Sequence, residues 1–96
     1  HPLYRSHKVE NGRIRIEFDA VPTGLVSQGG PPTEFTIAGA DGRFVPATAE
    51  IDGVTVVVSD PSVAEPVAVR FGFSNAAIPN LFSTEGLPVT PFRTDR

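Results

Sequence analysis

Val67-Ala68-Val69-Arg70-Phe71-Gly72-Phe73 decides how this chain is read. Val67, Val69, Phe71 and Phe73 alternate with Ala68, Arg70 and Gly72, so one face is apolar and the other is not. A period of two means a strand, and this one is expected to be central. The segment after Phe73 has no period. Ser74-Asn75 leads through Pro79-Asn80-Leu81-Phe82 to Glu85-Gly86-Leu87-Pro88 and Pro91-Phe92-Arg93. Its Phe and Leu side chains need burial, yet no helix or strand pattern presents them. The tail is therefore expected to lie on a neighbouring surface. In isolation, Ser83 to Arg96 is expected to be the least ordered part.

The segments upstream read as more short strands. Val54-Thr55-Val56-Val57-Val58-Ser59 is the most β-prone run, and its near-continuous Val content predicts apolar contact on both faces. Asp60-Pro61-Ser62 is suited to capping a single helical turn after it. Asn11-Gly12 and Asp52-Gly53 are tight-turn signals. Around the first, Ile14, Ile16 and Phe18 alternate with Arg13, Arg15 and Glu17, which predicts a hairpin from Tyr4 to Phe18. Leu25-Val26 suits a short edge strand, and Phe35 and Ile37 mark the inward face of another. Arg43 to Ile51 is extended, with Pro46 at a break or an edge.

Ten Pro and nine Gly in 96 residues favour turns over helices. The sum is about seven or eight short strands, with turn signals about every ten residues. That predicts an all-β, antiparallel sandwich, immunoglobulin-like or jelly-roll-like, with an irregular C-terminal tail. Residues 1–96 read as a single domain.

Composition removes several functions. Net charge is −3, and the eight Lys and Arg are scattered, so no basic patch for nucleic acid is visible. The absence of Cys excludes disulfides and thiolate chemistry. No apolar run approaches the ~20 residues of a membrane span. His1 and His7 have no metal-ligand spacing, and no serine sits in Gly-x-Ser-x-Gly or Gly-Asp-Ser. No catalytic residue, cofactor or metal ligand is therefore assigned. Without Trp, and with Tyr4 the single Tyr, a typical sugar-stacking platform is disfavoured.

Several stretches together carry a resemblance. They are Pro2-Leu3-Tyr4-Arg5-Ser6, Gly39-Ala40-Asp41-Gly42-Arg43-Phe44-Val45-Pro46-Ala47 and Arg70-Phe71-Gly72-Phe73-Ser74-Asn75. Pro79-Asn80-Leu81-Phe82, Glu85-Gly86-Leu87-Pro88 and Pro91-Phe92-Arg93-Thr94 complete the set. Over essentially its whole length the chain resembles the C-terminal β-sandwich domain of bacterial sialate O-acetylesterases. His1 stands where that family's linker Gly-Pro-Leu-Tyr has Gly, and Phe73 where it often has Trp. The resemblance implies a non-catalytic accessory domain packed on an upstream serine-hydrolase domain that holds the catalytic residues. It also points to a periplasmic or secreted parent, with any targeting signal upstream. Arg70, Asn75, Asn80, Phe82, Phe92 and Arg93 are the candidate contacts to that domain or to a glycan. A carbohydrate-binding module and a free-standing immunoglobulin-like interaction domain are the alternatives.

Overall fold

Asn11 and Gly12 both take positive φ, 45° and 83°, as a two-residue type I′ hairpin requires. The computed structural model describes residues 3–19, 24–30, 32–72 and 80–94. The turn joins β1 (Leu3–Glu10) to β2 (Arg13–Asp19), with Val9 opposite Ile14 and His7 opposite Ile16. A Cβ on Gly12 would lie 3.2 Å from the Ala64 carbonyl oxygen, so glycine also lets a second loop close on the turn. β7 (Thr55–Ser59) pairs with β2, and β6 (Thr48–Asp52) pairs with β7. The sheet order is β1-β2-β7-β6.

Only one face of this sheet meets the core. Ile14, Ile16, Val56 and Val58 are wholly buried. Val57 is half-buried, in register with Arg15 and Glu50 on the outer face, and Val54 is exposed in the turn. The expectation of apolar contact on both faces of the valine run is therefore corrected. The turn also sits one residue later than Asp52-Gly53 suggests. Gly53 and Val54 are its centre, and only Gly53 has positive φ, 64°.

The facing sheet has the order β10-β8-β4-β5, from β4 (Phe35–Ala38), β5 (Val45–Pro46), β8 (Ala68–Phe71) and β10 (Phe92–Arg93). β8 lies between β4 and β10 and is interior, as its alternation predicts. Val67 departs from that prediction and is 50% exposed. The strand begins only at Ala68, and Pro66 takes the buried place before it. Phe73 lies outside the described residues. Pro46 sits on the edge strand, where Ala47 rather than Pro46 donates to Phe35 (3.0 Å), so its missing N–H costs no ladder bond. The segment after β7 is a turn and not a helix: Val63 N–H reaches the Asp60 carbonyl, and the Asp60 carboxylate accepts from the backbone and hydroxyl of Ser62.

β3 (Leu25–Ser27) and β9 (Leu81–Ser83) form a small third sheet. The chain then folds back on β9. Ser83 N–H donates to Leu87 O (2.8 Å) and Val89 N–H to Leu81 O (3.1 Å). This sets Phe82 directly opposite Pro88 at a non-hydrogen-bonded position, where a proline loses nothing. Glu85-Gly86-Leu87-Pro88 is thus a hairpin return, with Gly86 at φ 92°. The ten strands among the described residues exceed the expected seven or eight because β3, β5, β9 and β10 have two or three residues each, too few to show a period.

The tail does not wait for a neighbour. Val89 is 4% and Phe92 8% exposed. The Phe92 ring stacks on Tyr4 at 5.0 Å and meets Phe71 (5.6 Å), Phe18 (5.7 Å) and Phe35 (6.3 Å). Thr94 then exchanges bonds with Val69, its N–H to Val69 O (2.9 Å) and its hydroxyl accepting Val69 N–H (3.0 Å). Residues 83–94 are therefore part of this domain's own fold, contrary to the expectation of a loosely held tail. Phe92→Ala should lower stability by about 3–5 kcal/mol, the range for emptying a buried Phe site. Phe82→Ala, at a half-buried ring, should cost less. Urea denaturation of both variants measures the difference.

Candidate functional site

The six candidate contact residues go to different places. Arg70 and Arg93 are brought together, directly opposite each other on β8 and β10. Arg70 has Thr36 on its other side, and its guanidinium carbon lies 4.0 Å above the centre of the Phe44 ring. A cation over an aromatic face at a partly exposed site is worth about 0.5–1 kcal/mol. The strand neighbours of Arg70 are thus Thr36 and Arg93 and not a carboxylate. No sequence pattern singles out Phe44. Its proximity to Arg70 depends on the pairing of β4 with β8, which are distant in sequence, and no local pattern reveals it.

Asn80 is a staple. Its side-chain oxygen accepts from Thr33 N–H (2.9 Å) and the Thr33 hydroxyl (3.2 Å), and its side-chain nitrogen donates to Gln28 O (2.9 Å). These bonds hold the loop that leads into β4. Glu34 in that loop has φ 69°, a conformation that costs a non-glycine residue about 1–2 kcal/mol. Gly72 N–H donates to Glu34 O (3.0 Å) from the other side. Phe82 is half-buried on the outer face of β9, opposite Val26 and Pro88. Phe92 is a core residue and offers no surface to a partner. Arg93 is exposed, and Asn75 lies outside the described residues.

The outer face of β1-β2-β7-β6 is a charged lattice. Arg15 donates to Glu10 (3.1 Å), Asp52 (2.8 Å) and Thr55 (2.9 Å). Glu17 accepts from Arg5 (3.0 Å) and Ser6 (3.1 Å), with Lys8 at 4.0 Å. The hydrogen bonds to Asp52 and then Glu10 raise the pKa of Arg15, and those from Arg5 and then Ser6 lower that of Glu17. Exposed pairs of this kind are screened by solvent and contribute little to stability. They mark a solvated face rather than a reactive one.

Ser6 and His7 are neighbours in sequence but alternate across β1, opposite Glu17 and Ile16 respectively, so they do not form a nucleophile–base pair. His7 Nδ1 and the Tyr4 hydroxyl share a hydrogen bond (2.8 Å), and burial raises the Tyr4 pKa. Among the described residues no group of three or more His, Cys, Asp or Glu could hold a metal ion. A depression of about 440 Å³ lies between the Gly39–Arg43 turn and the Ser62–Glu65 segment. Asp41 on its wall accepts the Arg43 N–H (3.1 Å), and so shapes its own turn.

No family model matches the chain, and no curated protein matches it. Among solved structures, XAC1771, a carbohydrate acetylesterase from Xanthomonas citri, is similar over 98% of this chain, with 46% identity and a TM-score of 0.88. This chain covers only 22% of that protein. It is similar to one part of a larger esterase. At that level the match agrees with the resemblance read from the sequence.

The polar groups give two measurable outcomes. Asn80→Ala should cost about 0.5–1.5 kcal/mol, the net range for hydrogen bonds whose partners water can reach, as measured by chemical denaturation. The folded-state pKa of Glu17 lies below its ordinary value of 4.5, so its contribution is present above that value and is lost as pH falls through the folded pKa. Stability of the Glu17→Gln variant should fall less steeply than wild type below about pH 4.5. Thermal melts across pH at low salt would show it.

Proposed function

We propose that this chain is a non-catalytic C-terminal accessory domain of a sialate O-acetylesterase-like carbohydrate esterase, packed on an upstream serine-hydrolase catalytic domain. The observation that carries the reading is the match of 98% of the chain to 22% of a carbohydrate acetylesterase. A unit that small within such an enzyme leaves most of the chain to supply the chemistry. The residues here support the same division of labour. The charged lattice, the Asn80 staple and the Asp41 turn each serve the fold, and Ser6 and His7 face apart.

In the parent enzyme, a serine of the catalytic domain attacks the acetyl carbonyl while a histidine takes its proton, and the sugar hydroxyl leaves. Water then releases acetate from the acyl-serine. This chain's part is to hold the architecture around that domain. The full open reading frame should therefore contain several times the length present here, in keeping with the 22% coverage. The full-length product should hydrolyse an aryl acetate and remove acetyl groups from O-acetylated sialosides. The 96-residue chain should show no turnover above a heat-killed control. Turnover by the short chain would overturn the reading. Full-length activity on acetylated plant polysaccharides with none on sialosides would overturn the sialate assignment alone.

A further inference from the structure

The three sheets treat their outer faces differently. On β1-β2-β7-β6 the outward positions include Lys8, Arg15, Glu17, Glu50 and Asp52. On the facing sheet they include Arg70 and Arg93. The third sheet has no charge in the corresponding row. Val26 and Phe82 are opposite each other, and Phe82 is opposite Pro88, so the three side chains form one apolar strip. Val26 is 39% exposed, Phe82 is half-buried and Pro88 is exposed. At the non-hydrogen-bonded Phe82–Pro88 pair the side chains stand closest, which makes the strip continuous. Scattered apolar residues are ordinary, but these three form a contiguous uncharged row on a chain whose other outer faces carry charge.

We infer that the Val26–Phe82–Pro88 strip is the seat of the catalytic domain of the same enzyme, an apolar contact made within one chain. This rests on the function proposed above. Two observations select that occupant. The solved relative has most of its length outside the matched part, so an enzyme of this build has a neighbour in the same chain. The strip also lies toward the end of the sandwich where β1 begins. Leu3 is opposite Asp19, the last residue of β2, and Thr55 pairs with Glu17 close by. The Gly53 carbonyl of that turn is 3.4 Å from the Cβ position of Gly24, immediately before β3. A domain joined upstream of Leu3 is thus delivered to the side that carries the strip. The contact would remove from water the apolar surface that this domain leaves uncovered there.

The absence of cysteine in this chain allows a direct test. In the full-length enzyme, Val26→Cys should react with a maleimide at least tenfold more slowly than Val9→Cys, which reports a solvated edge strand (56% exposed here). The unsubstituted enzyme sets the background, and aryl-acetate hydrolysis confirms that the catalytic domain is present and folded. Equal rates at the two positions in an active enzyme overturn the inference and leave the proposed function standing. A full-length product without esterase activity overturns the function itself. Protection of Val26→Cys that disappears on dilution assigns the strip to a second copy. Protection that appears only with added acetylated oligosaccharide assigns it to a glycan. Either result overturns the intramolecular contact.

Discussion

The fold depends on one ring. Phe92, on the short strand β10, enters the space between the sheets and meets Tyr4, Phe18, Phe35 and Phe71. Those four come from both large sheets, so Phe92 is where the two layers meet through aromatic contact. Fully burying such a side chain supplies about 1.5–3 kcal/mol, and well-oriented aromatic pairs add to it. For a 96-residue domain with net stability of the order of 5–15 kcal/mol, that is a large share. Phe92 is held by backbone pairing to β8 and by the exchange between Thr94 and Val69. A segment with the sequence of an appendage closes the core.

Around this centre the polar residues sort by cost. Ser83, the buried polar side chain, accepts a hydrogen bond from Leu87 N–H (3.2 Å), which satisfies it inside the hairpin return. Asn80 spends its amide on the loop before β4. Arg5, Arg15 and Glu17 keep their pairs at the surface, where charge is cheap to solvate. The division leaves two faces of distinct character: Arg70 over Phe44 with Arg93 opposite it, and the uncharged strip on the third sheet.

The sequence shows what is encoded locally. Asn11-Gly12 specifies its hairpin through two backbone angles. Ile14, Ile16 and Phe18 specify an inward face through a period of two. The all-β class and the interior position of β8 follow from such patterns. Val67 escapes its alternation because a strand's first residue is set by its neighbours, here Ala38 and Pro66. The tail escapes sequence reading because a two-residue strand has no period, and the burial of Phe92 depends on contacts from four distant segments. The site is less legible than the fold. Asn80 stands out as an irregular polar residue, but its partner Thr33 is 47 residues away. Phe82 is visible in the composition, whereas its strip with Val26 and Pro88 needs the register of two pairings.

The position of Phe92 also sets an order of events during synthesis. The β1–β2 hairpin can form as soon as it leaves the ribosome. Its second strand lacks its inner partner until β7 is made, and the aromatic cluster lacks its centre until β10 emerges. Pairings of such long sequence separation close slowly. Until then, Tyr4, Phe18, Phe35 and Phe71 belong to a nascent chain that cannot yet shield them. Such exposed apolar surface is where nascent chains aggregate or engage chaperones. A messenger cut just before the Phe92 codon would make almost all of this domain and leave its aromatic cluster without a centre.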